Sequence, residues 1–393
     1  MKPILIAGAS LSALALAATG AFAQQAAKPK IDAVYWLSAE TVSGMAAGQP
    51  NGVEKNLLLQ LGSVRRNPAP SADHLPPSAL RAGDRLPLVT PAGAPKADGR
   101  PDYRPGPQQQ PKGRIELYWG CGETAPSGQP VVIDLATMKP GAPSPFGAVP
   151  NVRALTPPSA LRHATYGEWP NERKDTRVPR DASLAGEHLV QGNYSPDMRF
   201  TVAPANDFLA PLAPRNAPLA SGAVKVAWPV LANARGYILT VTGAREDGTI
   251  VMWTSSAVRM PGMALPDYLD QGDIARLVQQ RILLAPEATE CVVPTAVAKA
   301  ASSAMLMMTA YGPEASYGSP RDAKEGWAVK LLTRARHMGM LGMDLAAMMS
   351  GGDDDDEDGA NARDRPASPA EARQKRKRGL LRGLGSALGV PLP

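Results

Sequence analysis

The chain has 393 residues, 44% of them hydrophobic, and a formal net charge of +6. That length allows two domains with real cores, and so modest a charge over so long a chain excludes an argument for nucleic-acid binding. Its 40 prolines and 37 glycines approach a fifth of the chain, above the usual ~12%, and they cluster, which predicts long Pro-rich connectors between short strands.

Residues 1–23 read as a secretory signal peptide. Lys2 supplies a positive start, an apolar run covers Ile4 to Ala18, and Ala21-Phe22-Ala23 gives a small-x-small cleavage pattern. The run is short for a membrane span. Export to the periplasm or secretion follows, with the signal form suiting a Gram-negative envelope. In an oxidising compartment the only two cysteines, Cys121 and Cys291, are candidates for one disulfide. Two separate thiols are the alternative, because spacing alone does not fix the distance between them.

Residues 24–220 are expected to form an N-terminal β-rich domain with Pro-rich loops. Ala33–Leu37 is rich in β-branched and aromatic residues, and Asn56–Leu61 is apolar, so both read as strands. Asn67–Gly113 reads as an extended connector that lies over the surface or stays mobile, since prolines at short intervals leave little room for regular structure. Ile115, Leu117 and Trp119 alternate with Glu116 and Tyr118, the pattern of a strand with one buried face. Val131–Leu135 then forms a hairpin with it. Tyr35, Trp36, Glu40 and Thr41 repeat the spacing of Tyr118, Trp119, Glu123 and Thr124. Neighbouring strands in similar environments explain the echo, and a pair of aromatic-acidic edges lining one site is the functional alternative. Residues 140–220 are again Pro-rich and irregular, but they carry His163, Tyr166, Trp169, His188 and Tyr194, too many aromatics for a free linker.

Residues 221–330 are expected to form a β-sandwich. Strands are predicted around Val224–Trp228, Tyr237–Val241, Ile250–Ser255 and Ala304–Tyr311, with turn chemistry between them. Residues 267–284 place Ile274, Leu277, Val278 and Ile282 at helical spacing behind Asp273 as a cap. Val226 and Trp228, then Gly236-Tyr237 with Leu239 and Val241, then Thr309-Ala310-Tyr311-Gly312 before Ser319-Pro320 resemble the fibronectin type III pattern over residues 223–320. The helix departs from that pattern. The resemblance implies a scaffold used for adhesion or spacing.

Residues 331–350 read as a Met-rich helix or linker, and residues 351–393 as a disordered charged tail. Asp353–Asp358 is an acidic run, and Gln374–Arg378 is a basic block followed by Leu380, Leu384 and Leu388 at one-face helical spacing. That composition suits a segment folding on an anionic membrane surface, with a solvated tail as the alternative.

No motif assigns catalysis, and no cofactor or resident metal is expected. His163 and His188, with Glu168, Glu187 and Asp175 nearby, are the only basis for a hydrolase. His337, Met338, Met340, Met343, Met348 and Met349 offer soft ligands for Cu(I), with ordinary packing as the alternative. The leading expectation is a non-enzymatic envelope interaction or scaffold module, with the tail meeting envelope proteins or an anionic membrane. A small-ligand or Cu(I)-binding protein comes second, and a hydrolase built on the loop histidines third.

Overall fold

A computed structural model describes residues 30–47, 52–92, 113–137, 144–153, 155–171, 178–260, 264–301 and 303–343. The expected signal peptide, the charged tail, Met348 and Met349 lie outside them. Among the described residues no helix is long and apolar enough to cross a membrane.

The fold is mainly β and sandwich-like. The strands are β1 (Ile31–Gly44), β2 (Val53–Ser63), β3 (Ala72–Leu75), β4 (Leu86–Pro87), β5 (Arg114–Trp119), β6 (Val131–Asp134), β7 (Thr165–Trp169) and β8 (Gly186–Gly192). They continue as β9 (Met198–Val202), β10 (Arg215–Pro218), β11 (Val224–Ala227), β12 (Gly236–Ala244), β13 (Ile250–Thr254), β14 (Glu290–Val293), β15 (Met305–Gly318) and β16 (Gly326–Met340). Helices α1 (Gln271–Gln279) and α2 (Thr295–Ala300) flank β14.

One nine-stranded sheet, ordered β6-β5-β13-β12-β15-β16-β1-β2-β7, is the backbone of the architecture. Two smaller sheets, β4-β3-β8-β9 and β10-β11-β14, cover different halves of the same face. Strand alternation decides this. On β16, Trp327, Val329 and Leu331 enter the first core with Tyr35, Leu37, Leu59, Val190 and Phe200. Ala335 keeps the same parity and enters the second core with Leu239, Val241, Trp253, Val226 and Val293. On β15 the register shifts between Tyr311 and Glu314. This bulge moves the inward phase from Leu306, Met308 and Ala310 to Ala315 and Tyr317, so both halves still face inward. Gly312 sits in the bulge, where a Cβ would fall 2.2 Å from Thr333 Oγ1, so only glycine fits.

Several expectations change here. Residues 331–340 are strand, not helix, because alternation carries Leu331, Thr333 and Ala335 into buried positions between two paired strands. The 331–350 segment is therefore no separate element; β16 pairs with both β1 and β15 and belongs to both cores. The supposed surface connector after Asn67 supplies β3 and β4, and Leu80, Leu86 and Leu88 are buried in the first core. Its residues 93–112 lie outside the described ones. The β5–β6 hairpin forms, yet β5 pairs with β13 beside the second core rather than with the N-terminal strands. A boundary at 220 therefore does not divide the sheet. The two echoing segments are far apart, with β13, β12, β15 and β16 lying between β5 and β1. Helix α1 occupies the middle of the expected 267–284 span, but its cap is Asp270, whose Oδ1 accepts from Gly272 N at 2.9 Å. Asp273 lies in the first turn and pairs with Arg276 at 2.6 Å.

Cys121, just past β5, is disulfide-bonded to Cys291 of β14, with Cα atoms 5.3 Å apart. The bond ties the edge hairpin of the large sheet to the three-stranded sheet above it. Backbone bonds reinforce the junction: Gly122 N donates to Val292 O at 2.8 Å, and Thr295 N to Glu123 O at 3.0 Å.

Candidate functional site

With both small sheets on one face, the opposite face of the nine-stranded sheet carries the residues of the other parity. On β1 these are Trp36, Ser38 and Glu40; on β2, Asn56, Leu58 and Gln60; on β16, Lys330, Arg334 and Arg336. All of these but Lys330 and Arg336 form the floor of a cleft of about 800 Å³; Arg336 lies beside it and reaches Glu40, and Lys330 pairs with Glu314. Its walls are irregular segments: Val152, Leu155 and Pro157 on one side, Pro266, Asp267 and Tyr268 on another, and Pro170 after β7.

The walls are fixed to the sheet and to each other. Tyr311 Oη donates to Pro266 O at 3.0 Å, and Arg334 donates to Asp267 O at 3.1 Å. Arg153 N donates to Asp273 Oδ2 of α1 at 2.5 Å, and Arg276 of α1 donates to Asn151 O. Helix α1 itself sits on the sheet through Ile274 and Leu277, which pack with Ile238 and Tyr311. Gln60 Nε2 donates to Pro158 O at 3.3 Å and to Tyr166 Oη at 3.0 Å. The rim is thus hydrogen-bonded in place, as a preformed site requires.

Arg334 organises the centre. It is 8% exposed and meets Glu40, itself 7% exposed, at 2.9 Å. Its other side meets Asp267 at 2.5 Å, and its guanidinium lies 4.8 Å from the centre of the Tyr268 ring. Arg336 reaches the same Glu40 oxygen at 3.2 Å. The Nε atoms of both arginines and this Glu40 oxygen contact at ion-pair distance without hydrogen-bond alignment. Burial alone lowers the Arg334 pKa, but Tyr268, Glu40 and Asp267 outweigh it and hold the guanidinium above its ordinary value. The charged residues lining the cleft are Glu40, Glu54 and Asp267 against Lys55 and Arg334, and Arg336, reaching Glu40 from beside the cleft, supplies the third positive charge, so the site is polar and close to neutral.

The histidines do not assemble as the hydrolase reading requires. His163 packs on Gly62 on the cleft side of the sheet. His188 is fully buried in the first core on the other side. There His188 Nε2 donates to Leu184 O at 2.7 Å, which leaves Nδ1 as an acceptor. His74 Nε2 donates to that Nδ1 at 3.0 Å, and Tyr35 Oη donates to His74 Nδ1 at 2.5 Å. Each neutral ring has one tautomer that satisfies this line. Burial pushes the pKa of both imidazoles down, strongly so for His74. Glu168 accepts from the Tyr166 hydroxyl and Glu187 pairs with exposed Arg199, so neither serves a histidine. Asp175 lies outside the described residues.

The Met-rich segment is also divided by strand parity. His337 turns towards Ser43, 3.0 Å away, while Met338 and Met340 point to the opposite face. Of the two echoing segments, only the first contributes to the cleft, through Trp36 and Glu40. Sequence reasoning did not single out Arg334, Asp267, Tyr268 or Gln60. The available signal was an acid at position 40 in an apolar strand and two arginines two residues apart at 334 and 336, which strand parity places on one face. No family model, curated protein or solved structure matches this chain.

Proposed function

We propose that the protein is a non-enzymatic binding module whose cleft takes a small, neutral, amphipathic ligand. One observation carries the reading: an apolar- and aromatic-walled cleft of about 800 Å³ opens over a buried, charge-balanced ion-pair floor. Desolvating such a pair offsets most of its attraction, so it is a poor stabilising device. Convergent polar groups within an apolar cleft are instead the usual form of a ligand site. Trp36 and Tyr268 offer aromatic surface, while Ser38, Asn56 and Gln60 offer hydrogen bonds. Charge balance disfavours a strongly ionic ligand.

The module is further proposed to work outside the cytoplasm. The Cys121–Cys291 disulfide supports this, as does the signal-like start of the chain. A scaffold role has its own support: β10-β11-β14 facing β13-β12-β15-β16 is a three-on-four antiparallel sandwich, which takes β10 and β16 from outside residues 223–320 and so is fibronectin-like only in its strand layering. The charged tail then serves as the contact with envelope proteins or anionic lipid.

The cleft reading is tested by thermal-shift screening of short oligosaccharides and di- and tripeptides against the full chain and a Ser38→Ala/Leu58→Ala/Gln60→Ala variant. Saturable stabilisation of the wild type, lost in a variant with an unchanged circular dichroism spectrum, is the expected result. Stabilisation that survives in the variant places binding elsewhere.

A further inference from the structure

The geometry points to a soft-metal site on the cleft-side face of the sheet, built from the methionine quartet Met305, Met307, Met338 and Met340 and selective for Cu(I) or Ag(I). In the antiparallel ladder of β15 and β16, Met305 is directly opposite Met340, and Met307 directly opposite Met338. All four share one face, because the intervening Leu306 and Met308 are fully buried in the second core. Opposed residues in such a ladder have Cβ atoms about 4.5–5.5 Å apart, and successive same-face positions lie about 6.6 Å apart along a strand. Each methionine has three rotatable side-chain bonds, enough for three or four sulfurs to converge over the centre of the quartet.

The surroundings favour a monovalent soft ion. The flanking ladder positions are Thr242 beside Met305, Thr240 beside Met307 and Gly44 beside Met338, so no carboxylate or imidazole adjoins the quartet there. His337 lies on the other face against Ser43, and both cysteines are consumed in the disulfide. Among the described residues, no group of three His, Cys, Asp or Glu side chains is placed to hold a metal ion. Thioether sulfur alone suits Cu(I) and its analogue Ag(I), whereas Zn²⁺, Ca²⁺ and Mg²⁺ prefer nitrogen, thiolate or oxygen. The site is reachable: Met307 lines a cavity of about 210 Å³ with Thr240, Thr309 and Arg336. Met305 and Met338 are half-buried, and only Met340 is buried. Leucine would cover this face as well as methionine does; sulfur at all four corners is what a soft ion would need.

The test is Ag(I) titration of the disulfide-intact full chain in chloride-free buffer by calorimetry, with stoichiometry from native mass spectrometry. Ag(I) is used because it needs no reductant. Two variants are compared with the wild type: Met305→Leu/Met307→Leu/Met338→Leu/Met340→Leu, and Met343→Leu/Met348→Leu/Met349→Leu. The expected result is one tight Ag(I) in the wild type and in the second variant, with at least a hundredfold loss of affinity in the first. Should the first variant not fold, Met307→Leu and Met338→Leu singly are expected to weaken binding at least tenfold with unchanged melting temperature. Absence of saturable binding in the wild type, binding retained in the first variant or unchanged in both single variants, binding lost in the second variant, or displacement of Ag(I) by Zn²⁺ would each overturn the proposal.

Discussion

The two cores beneath the nine-stranded sheet use the same strands and different chemistry. The first buries a directed line of polar groups, Tyr35, His74, His188 and the Leu184 carbonyl, among leucines and aromatics. The second buries Trp228 against Tyr237, with ring centres 5.6 Å apart, and is closed by the Cys121–Cys291 bond. A polar line satisfied end to end holds only while each ring stays neutral. A covalent clamp is indifferent to protonation and yields to reductant. The cores should therefore fail under different insults, although β15 and β16 thread through both.

The largest effect should come from reducing the clamp. It closes a loop of 170 residues, for which the chain-entropy model gives about 5 kcal/mol of stabilisation. Urea unfolding of reduced, alkylated protein should show an unfolding free energy lowered by that order, read as a fall in the midpoint. Hydrogen exchange sharpens the comparison: amides of β14 and β5 should lose protection first, while those of β3 and β8 hold. Equal loss in both regions would mean that the cores are one unit and the contrast between them is only chemical.

Next comes the seam between the cores. Arg334 lies where β16 passes from one to the other. Arg334→Met leaves Glu40 buried with only Arg336 for a partner, at a cost of about 3 kcal/mol. The double variant Glu40→Gln/Arg334→Met should recover much of this, since no uncompensated charge remains. Chemical denaturation of both variants decides; a double variant no more stable than the single would show that Arg334 acts through its contacts with Asp267 and Tyr268.

Acid should separate the cores more gently. His74 and His188 have pKa values below the ordinary imidazole value, mainly through burial. The unfolded chain thus binds more protons than the folded one once pH falls below ~6.5. Stability from this source is complete above that pH and is lost progressively as pH falls towards the folded-state values. His337, half-buried beside Ser43, adds a similar window from ~6.5 down to about 4. Each group contributes up to about 1.4 kcal/mol per pH unit within its window. His337→Gln should remove one proton from the linkage and leave the slope from the first core in place. A pH-independent unfolding free energy between 7 and 5 would contradict the neutral-histidine line.

Much of the strand pattern was readable because alternation is local: Tyr35 and Leu37, Leu59 and Leu61, Tyr237 and Leu239 announce their faces by themselves. The misreadings came where tertiary pairing overrides a local signal. Met340 and Met343 have the i,i+3 spacing of a helix and Leu341 and Leu345 the i,i+4 spacing, and only pairing with β1 and β15 makes residues 326–340 a strand. The prolines around β3 and β4 suggested a connector, yet short edge segments tolerate them and still send Leu80, Leu86 and Leu88 inward. The cleft was less legible than the fold. Its floor joins residue 40 to residue 334 and its wall comes from residues 266–268, so the site exists only once β16 returns parallel to β1. His188 was visible as a histidine, but its partner His74 lies 114 residues earlier in the supposed connector.

The smallest effects should lie on the outer surfaces, and they test whether the contrast between the cores resides where it is placed here. Arg199 and Glu187 pair across β9 and β8 over the first core, with side chains 66% and 57% exposed. Lys225 and Glu290 pair across β11 and β14 over the second, at 39% and 56%. Ion pairs so exposed are screened by solvent and hold two long side chains in one arrangement, so each should contribute no more than about 0.5 kcal/mol. Double-mutant cycles with alanine at both ends of each pair, measured in low and high salt, should give coupling energies that agree between the two sheets and shrink with salt. A coupling of more than about 1 kcal/mol in one sheet alone would shift the origin of the difference from the buried chemistry to the outer ladders, because those sheets would then hold unequally whatever lies beneath them.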